Sequence, residues 1–251
     1  MRGGGEADGV KIRMQAEGKN AVLEALKSDV TVDALLVEKG KDHQLIALAR
    51  QKGVKIQFVD KGALDRISVT KSHQGFIAKT SEFTYCELED IIDGAKAENG
   101  SVFVVILDGV EDPHNLGSII RVCECGGVSG IVIGKHRSAA VNETVIRVSA
   151  GAAEHVRIAR VANVNHAIET LKKRGVWVYC ADTDGESVYK TDLNGNIALV
   201  IGSEGFGVKR LTKELCDKVV ALPIKGKVNS LNAATACGIL VYEAVRQRSE
   251  R

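Results

Sequence analysis

Three short loops hold the residues whose types and spacing suit chemistry. Asn115-Leu116-Gly117-Ser118-Ile119-Ile120-Arg121 sets a side-chain amide and a guanidinium on one segment. Asn115 is suited to start a helix as its cap, which puts Arg121 about two turns in, and Pro113 stiffens the approach. Gly202-Ser203-Glu204-Gly205-Phe206-Gly207 surrounds one carboxylate with glycines. Leu222-Pro223-Ile224-Lys225-Gly226-Lys227-Val228-Asn229-Ser230-Leu231-Asn232-Ala233-Ala234 is an irregular loop that brings Ser230 and Asn232 to the start of a final helix. Together the loops offer short donors and acceptors, one carboxylate and one permanent cation, groups that bind and orient a polar ligand. Nucleotide signatures are missing. The strand ending at Asp108 runs into Gly109-Val110-Glu111-Asp112-Pro113-His114, which is neither GxGxxG nor GxxxxGK[ST]. The glycine loop taken alone reads as an ordinary strand-to-helix turn.

The elements around the loops explain how they can meet. Val102 to Leu107 is an unbroken apolar run, as expected of a parallel strand covered on both faces. Further strands are expected at Gly130–Ile133, Val176–Cys180, Ile197–Ile201 and Val219–Leu222. Helices are expected at Leu116–Cys125, Val164–Arg174, Val208–Leu215 and Leu231–Arg248. Strands alternating with helices argue a parallel α/β sheet, and ligands gather at the carboxyl ends of such strands. All three loops follow strands, so their polar residues can converge on one sheet edge. Ahead of this body, Ala34–Val37, Val54–Val59 and Gly75–Ala78 read as strands and His43–Arg50 as an amphipathic helix, giving a small α/β/α domain.

Charge marks the division. Residues 1–80 carry 14 basic and 10 acidic side chains, residues 81–100 carry one base and six acids, and residues 101–251 carry 19 and 16. The expected organisation is a disordered terminus over 1–15, a small domain over 16–80, an acidic linker over 81–98 and an α/β domain over 99–251. A net charge of +2 over 251 residues provides no polybasic tail. No stretch approaches the roughly 20 apolar residues of a membrane span, and residues 1–15 lack the apolar core of a secretory signal. A cytoplasmic protein is expected. Six cysteines without a CxxC pair exclude a dithiol redox centre and match no zinc site, so they are expected as small buried hydrophobes kept reduced. Asp182 and Asp184 could suggest a metal, but a solvated turn ending at Gly185 is the better reading, and His114 reads as a loop histidine. No metal is expected.

The loops N-x-G-x-x-x-R (115–121), G-S-E-G-x-G (202–207) and L-P-I-x-G-x-x-x-S-L-N-A-A (222–234) resemble, in order, the three motifs of the SpoU class of RNA ribose 2′-O-methyltransferases. Asp108 to Gly117, Arg137-Ser138-Ala139 and Gly151-Ala152-Ala153-Glu154 are most similar to the branch that methylates a guanosine in bacterial 23S ribosomal RNA. Gly18 to Leu26 and His73-Gln74-Gly75 are similar to that branch's small RNA-binding domain, itself like certain ribosomal proteins. The resemblance implies an α/β domain tied in a deep trefoil knot, which no periodicity could predict because true knots are nearly absent from proteins. It also implies a homodimer acting on ribosomal RNA, with S-adenosylmethionine held largely by backbone at Gly202, Leu222, Ile224 and Leu231.

Site roles follow from the same resemblance. In the family Arg121 is proposed to activate the ribose hydroxyl. A guanidinium with a pKa above about 12 is better suited to stabilising alkoxide charge or gripping a phosphate. Glu204 would orient Arg121, while Asn115, Ser230 and Asn232 fix the ribose and backbone. In the front domain Lys71 and His73 are the exposed pair assigned to RNA contact. The alternatives are methylation of another ribosomal or transfer RNA site, and an RNA-binding assembly factor without turnover.

Overall fold

The computed structural model describes residues 14–27, 31–81 and 83–249, in two units, Met1–Thr84 and Tyr85–Arg251. The expected disordered terminus lies outside the described residues, except for Met14 and Gln15, which open the first strand.

The front unit comprises β1 (Met14–Glu17), α1 (Lys19–Lys27), β2 (Thr31–Glu38), α2 (Gln44–Gln51), β3 (Lys55–Val59), α3 (Lys61–Ile67) and β4 (Phe76–Ser81). Its sheet has the order β1-β4-β2-β3, parallel only between β2 and β3. The alternation of a strand decides which helix lies where. Leu35, Val37, Phe76 and Ala78 pack with Val22 and Leu26 of α1 and Leu45, Ile46 and Ala49 of α2. Leu36 and Ile77, on the opposite face, meet Leu64 of α3. The layers are α/β/α, as the sequence indicates.

One segment of this unit is tied down by a carboxylate. Glu17 accepts hydrogen bonds from the Ser68 hydroxyl (2.6 Å), the Val69 and Thr70 amides (2.6 and 3.0 Å) and the Thr70 hydroxyl. Burial opposes ionisation of Glu17, but these donors outweigh it and lower its pKa to about 2. His73 corrects the sequence reading. It is 5% exposed, its Nε2 bonding the Asp65 carboxylate at 2.9 Å and its Nδ1 accepting the Gly75 amide at 3.0 Å. A ring used on both nitrogens inside the unit does not face RNA. Lys71 remains exposed, at φ 57°, and its ammonium donates to the Asp65 carbonyl.

The second unit begins with α4 (Leu88–Asn99) and β5 (Phe103–Asp108), followed by α5 (Pro113–Cys125), β6 (Gly130–Gly134), α6 (Glu143–Val148), β7 (Ile158–Val161) and α7 (Val164–Lys173). β8 (Trp177–Ser187), β9 (Ile197–Gly202), α8 (Arg210–Leu215), β10 (Lys218–Ala221) and α9 (Ala233–Ser249) complete it. All six strands are parallel, in the order β10-β8-β9-β5-β6-β7. Every residue of β5, β6 and β9 is buried, as their apolar runs require. One face carries α4 and α7, and α5 and α9 pack against each other on the strands β6 and β9.

Two expectations change here. Residues 88–99 are not a linker. Leu88, Ile91, Ile92 and Ala95 recur at helical spacing and are buried against Val104, Ile106 and Val132, while the acids of α4 face outward. The chain is built into this unit from its first residues, because the Tyr85 hydroxyl accepts the Val141 amide and the Cys86 amide donates to Ile158. Asp182 and Asp184 do not form a turn. Both lie within β8 and grip the Lys213 ammonium at 2.8 and 2.6 Å. β8 continues because Gly185 lets it close on β10, where an added Cβ would sit 2.6 Å from the Val219 carbonyl carbon. The six thiols are all free, but Cys125 is exposed rather than buried. Among the described residues no helix is long and apolar enough to cross a membrane.

Candidate active site

Asp108 ends β5 directly opposite Gly202, which ends β9, so the first two motif loops leave the sheet side by side. The helix after the first loop starts earlier than its sequence suggests. Asp112 caps α5, its carboxylate accepting the His114 amide at 2.9 Å, and Pro113 takes the first helical position. Aspartate caps as well as asparagine does, and proline favours that position, so the pair overrides Asn115.

Asn115, inside the first turn and 8% exposed, is thereby free to bond elsewhere. Its amide nitrogen donates to Glu204 Oε1 at 3.0 Å, and its oxygen accepts from Asn232 Nδ2 at 2.9 Å. Asn232 Nδ2 also donates to Glu204 Oε1. The other side of Asn232 caps α9, its oxygen accepting the Ala234 and Thr235 amides at 2.9 and 3.1 Å. One residue from each motif loop therefore closes a three-membered ring of hydrogen bonds.

Ser230 and Arg121 stand outside that ring. Ser230 is exposed and makes no side-chain hydrogen bond among the described residues, so Asn232 alone caps the final helix. Arg121 is exposed on α5 and has no ion-pair or hydrogen-bond partner for its guanidinium among the described residues. Six residues of helix separate it from Asn115 by about 9 Å of rise and about 120° of rotation. Glu204, bonded to Asn115, does not orient Arg121. The carboxylate holds amides instead.

The glycine loop owes its shape to lack of side chains. A Cβ on Gly202 would lie 2.1 Å from the Gly207 carbonyl carbon, and Gly205 and Gly207 adopt φ of 85° and 66°. The loop closes through paired backbone bonds between Ser203 and Gly207. Two cavities flank it. One, of about 450 Å³, is lined by Gly202, Leu222, Ile224, Ser230, Leu231 and Asn232. The other, of about 750 Å³, is lined by Gly109, Glu111, Asn115, Arg137, Lys209 and Arg210 among others. Ser203, Glu204, Phe206, Gly207 and Ala233 line both. Sequence reasoning missed a further pair here. Asp108, 1% exposed, accepts the Lys209 amide and pairs with the Lys209 ammonium, tying the residue before α8 to β5. A charged residue ending an apolar strand was the available signal.

Known proteins resemble both units of the chain. The SpoU rRNA Methylase family model matches residues 102–242, and the model for RNA 2′-O ribose methyltransferase substrate binding matches residues 15–86. YacO of Bacillus subtilis (strain 168), assigned to the TrmH family of tRNA/rRNA methyltransferases, is 45% identical over 92% of this chain and 95% of its own. The 23S rRNA (guanosine-2′-O-)-methyltransferase RlmB of Xanthomonas campestris pv. campestris is 41% identical over 92% of this chain and 95% of its own. Among solved structures, an AdoMet-bound rRNA methyltransferase from Sinorhizobium meliloti superposes with a TM-score of 0.60 at 26% identity, covering 93% of this chain and 87% of that one. Sheet, loops and front unit together define an RNA 2′-O-methyltransferase with a substrate-binding domain. The chain belongs to the SpoU rRNA Methylase family.

Proposed function

We propose that this protein transfers the methyl group of S-adenosylmethionine to the ribose 2′-hydroxyl of a guanosine in 23S ribosomal RNA. The observation that carries the reading is the ring of Asn115, Glu204 and Asn232 on the wall between two cavities. The smaller cavity suits the cofactor. Its volume is within the usual range for small-molecule sites, and glycine-loop backbone and apolar side chains dominate its lining. Gly202, Leu222, Ile224 and Leu231 would hold the cofactor, which supplies an electrophilic methyl sulfonium when bound. In the larger cavity Asn115 and Glu204 fix the ribose, and their mutual bonds hold them in place before substrate arrives. Ser230, exposed on the lining of the smaller cavity and without a side-chain partner among the described residues, donates to the ribose or its phosphate where substrate meets cofactor. Arg121 carries a permanent charge without a partner among the described residues and lines neither cavity, so its assignment to the developing alkoxide or an adjoining phosphate rests on the motif it shares with the family.

The wider reading extends to the whole protein. We infer that the chain pairs with a second copy, since Ile239 and Tyr242 stand 36% and 51% exposed on α9. Sedimentation velocity reads that directly. Family membership supports a knotted α/β domain and work in the cytoplasm, where ribosomal RNA is processed. Lys71 remains a candidate RNA contact in the front unit.

The decisive experiment maps ribose methylation in ribosomal and transfer RNA from cells with and without the gene. Loss at one guanosine of 23S RNA supports the proposal. Loss at another ribosomal or transfer RNA position replaces the substrate, and no loss leaves an RNA-binding factor without turnover. RlmB of Xanthomonas campestris, by its name, acts on 23S rRNA.

A further inference from the structure

The larger cavity holds a feature that methyl transfer as outlined does not use. Arg137 lines it at φ 52°, in the left-handed region where an arginine is strained and a glycine would be at ease. Its guanidinium is exposed and has no partner among the described residues. The other cations of this wall are engaged, Lys209 with Asp108 and Arg210 with Glu214. Beside Arg137 lies Gly109, at φ 82°, where a Cβ would come within 3.6 Å of Ser203 Cβ, 3.8 Å of the Lys209 ammonium and 3.9 Å of the Arg137 carbonyl. The absence of a side chain at Gly109 leaves the cavity open near the Lys209 ammonium, and Arg137, with its free fork of donors, belongs to the same lining. Asn115 and Glu204 line the same cavity.

We propose that Arg137 binds the RNA phosphodiester next to the methylated ribose, over the open floor at Gly109 and with the Lys209 ammonium as second cation. This rests on the proposed ribose methylation and adds a positioning residue to it. Phosphate is favoured over a base edge because Arg137 shares its cavity with the Lys209 ammonium, which stays half-exposed in its pair with Asp108, and two cations suit a phosphodiester. The carboxylates of Glu111, Asp112 and Glu204 stand along the same cavity, Asp112 holding the His114 amide and Glu204 the two asparagines.

The backbone strain supplies a discriminating variant. Arg137→Gly removes the fork while relieving the positive φ, so it keeps or raises the thermal midpoint, and it leaves calorimetric affinity for S-adenosylmethionine unchanged. RNA affinity falls by about tenfold at low salt. The slope of log affinity against log salt becomes shallower by about 0.7, one phosphate contact on a single strand. Arg137→Lys restores most of the slope but less of the affinity, because an ammonium keeps the charge and loses the fork. In methyl transfer the loss appears mainly in KM and is equal for guanosine and adenosine at the target position. A native salt slope and native KM in Arg137→Gly would overturn the proposal. A loss confined to guanosine targets would move Arg137 to base recognition and overturn the phosphate assignment. Native protein that binds RNA but methylates nothing would sink the proposed reaction, while the salt slopes would still decide the Arg137 contact.

Discussion

Two side chains of opposite circumstance define what single substitutions test. Arg121 is exposed and has no partner among the described residues, so Arg121→Ala changes stability by no more than about 0.5 kcal/mol and leaves cofactor affinity intact while methyl transfer is lost. Arg121→Lys rescues poorly, since an ammonium lacks the planar fork. Methyl-transfer assays beside thermal melts check both, and near-native turnover in either variant removes Arg121 from the mechanism. Glu17 is engaged by five donors, Gln15 Nε2 among them, and titrates near pH 2 in the folded protein, below its ordinary value of 4.5. A depressed carboxylate stabilises the fold fully above its unfolded pKa, and that contribution fades as pH falls from about 4.5 through about 2. Glu17→Gln therefore lowers stability at neutral pH and flattens the acid limb between those values. Calorimetric unfolding across that range reads the difference, and identical acid limbs would remove Glu17 as the clasp of residues 68–70.

At the scale of elements, the parts that announced themselves were those with unmixed signals. β6 and β9 are apolar throughout, β5 is apolar up to its final Asp108, and α9 was visible as the long closing helix. β7 was not foreseen because Ile158-Ala159-Arg160-Val161 is four residues with a charge inside. α4 was hidden by its acids, which drew attention from the helical spacing of Leu88, Ile91, Ile92 and Ala95. The motif loops were legible as loops, but their internal bonds were not. The cap passed from Asn115 to Asp112, and Glu204 turned from Arg121 to Asn115 and Asn232, since which of two competent caps wins depends on the neighbouring proline. The helical assignment of 88–99 has a measurable cost attached. Ile91 is wholly buried, so Ile91→Ala destabilises the second unit by about 2–5 kcal/mol, as urea unfolding would register. A change near zero would return the segment to being a linker.

For the whole molecule, the boundary at Thr84–Tyr85 decides which fragments survive. A fragment of residues 85–251 keeps α4 and the Cys86–Ala159 bridge, folds and binds cofactor, whereas one beginning at 98 uncovers a face of the sheet and does not. If the net-basic front unit recruits RNA as proposed, the longer fragment loses most RNA affinity and shows a shallower salt slope than the full chain. Equal affinities and slopes for fragment and full chain would show that the front unit does not recruit RNA. The wall of Ser203, Glu204, Phe206, Gly207 and Ala233 belongs to both cavities, and with cofactor and RNA assigned to them as proposed, the two ligands become corners of one thermodynamic box. Whatever ordering of that wall one ligand completes, the other no longer has to supply. RNA then binds more tightly with the demethylated cofactor product in place, and the product binds more tightly to the RNA-bound protein by the same factor. Asn232→Ala unties Glu204 from α9, and with it that factor falls to one: the two ligands still bind, each unaware of the other.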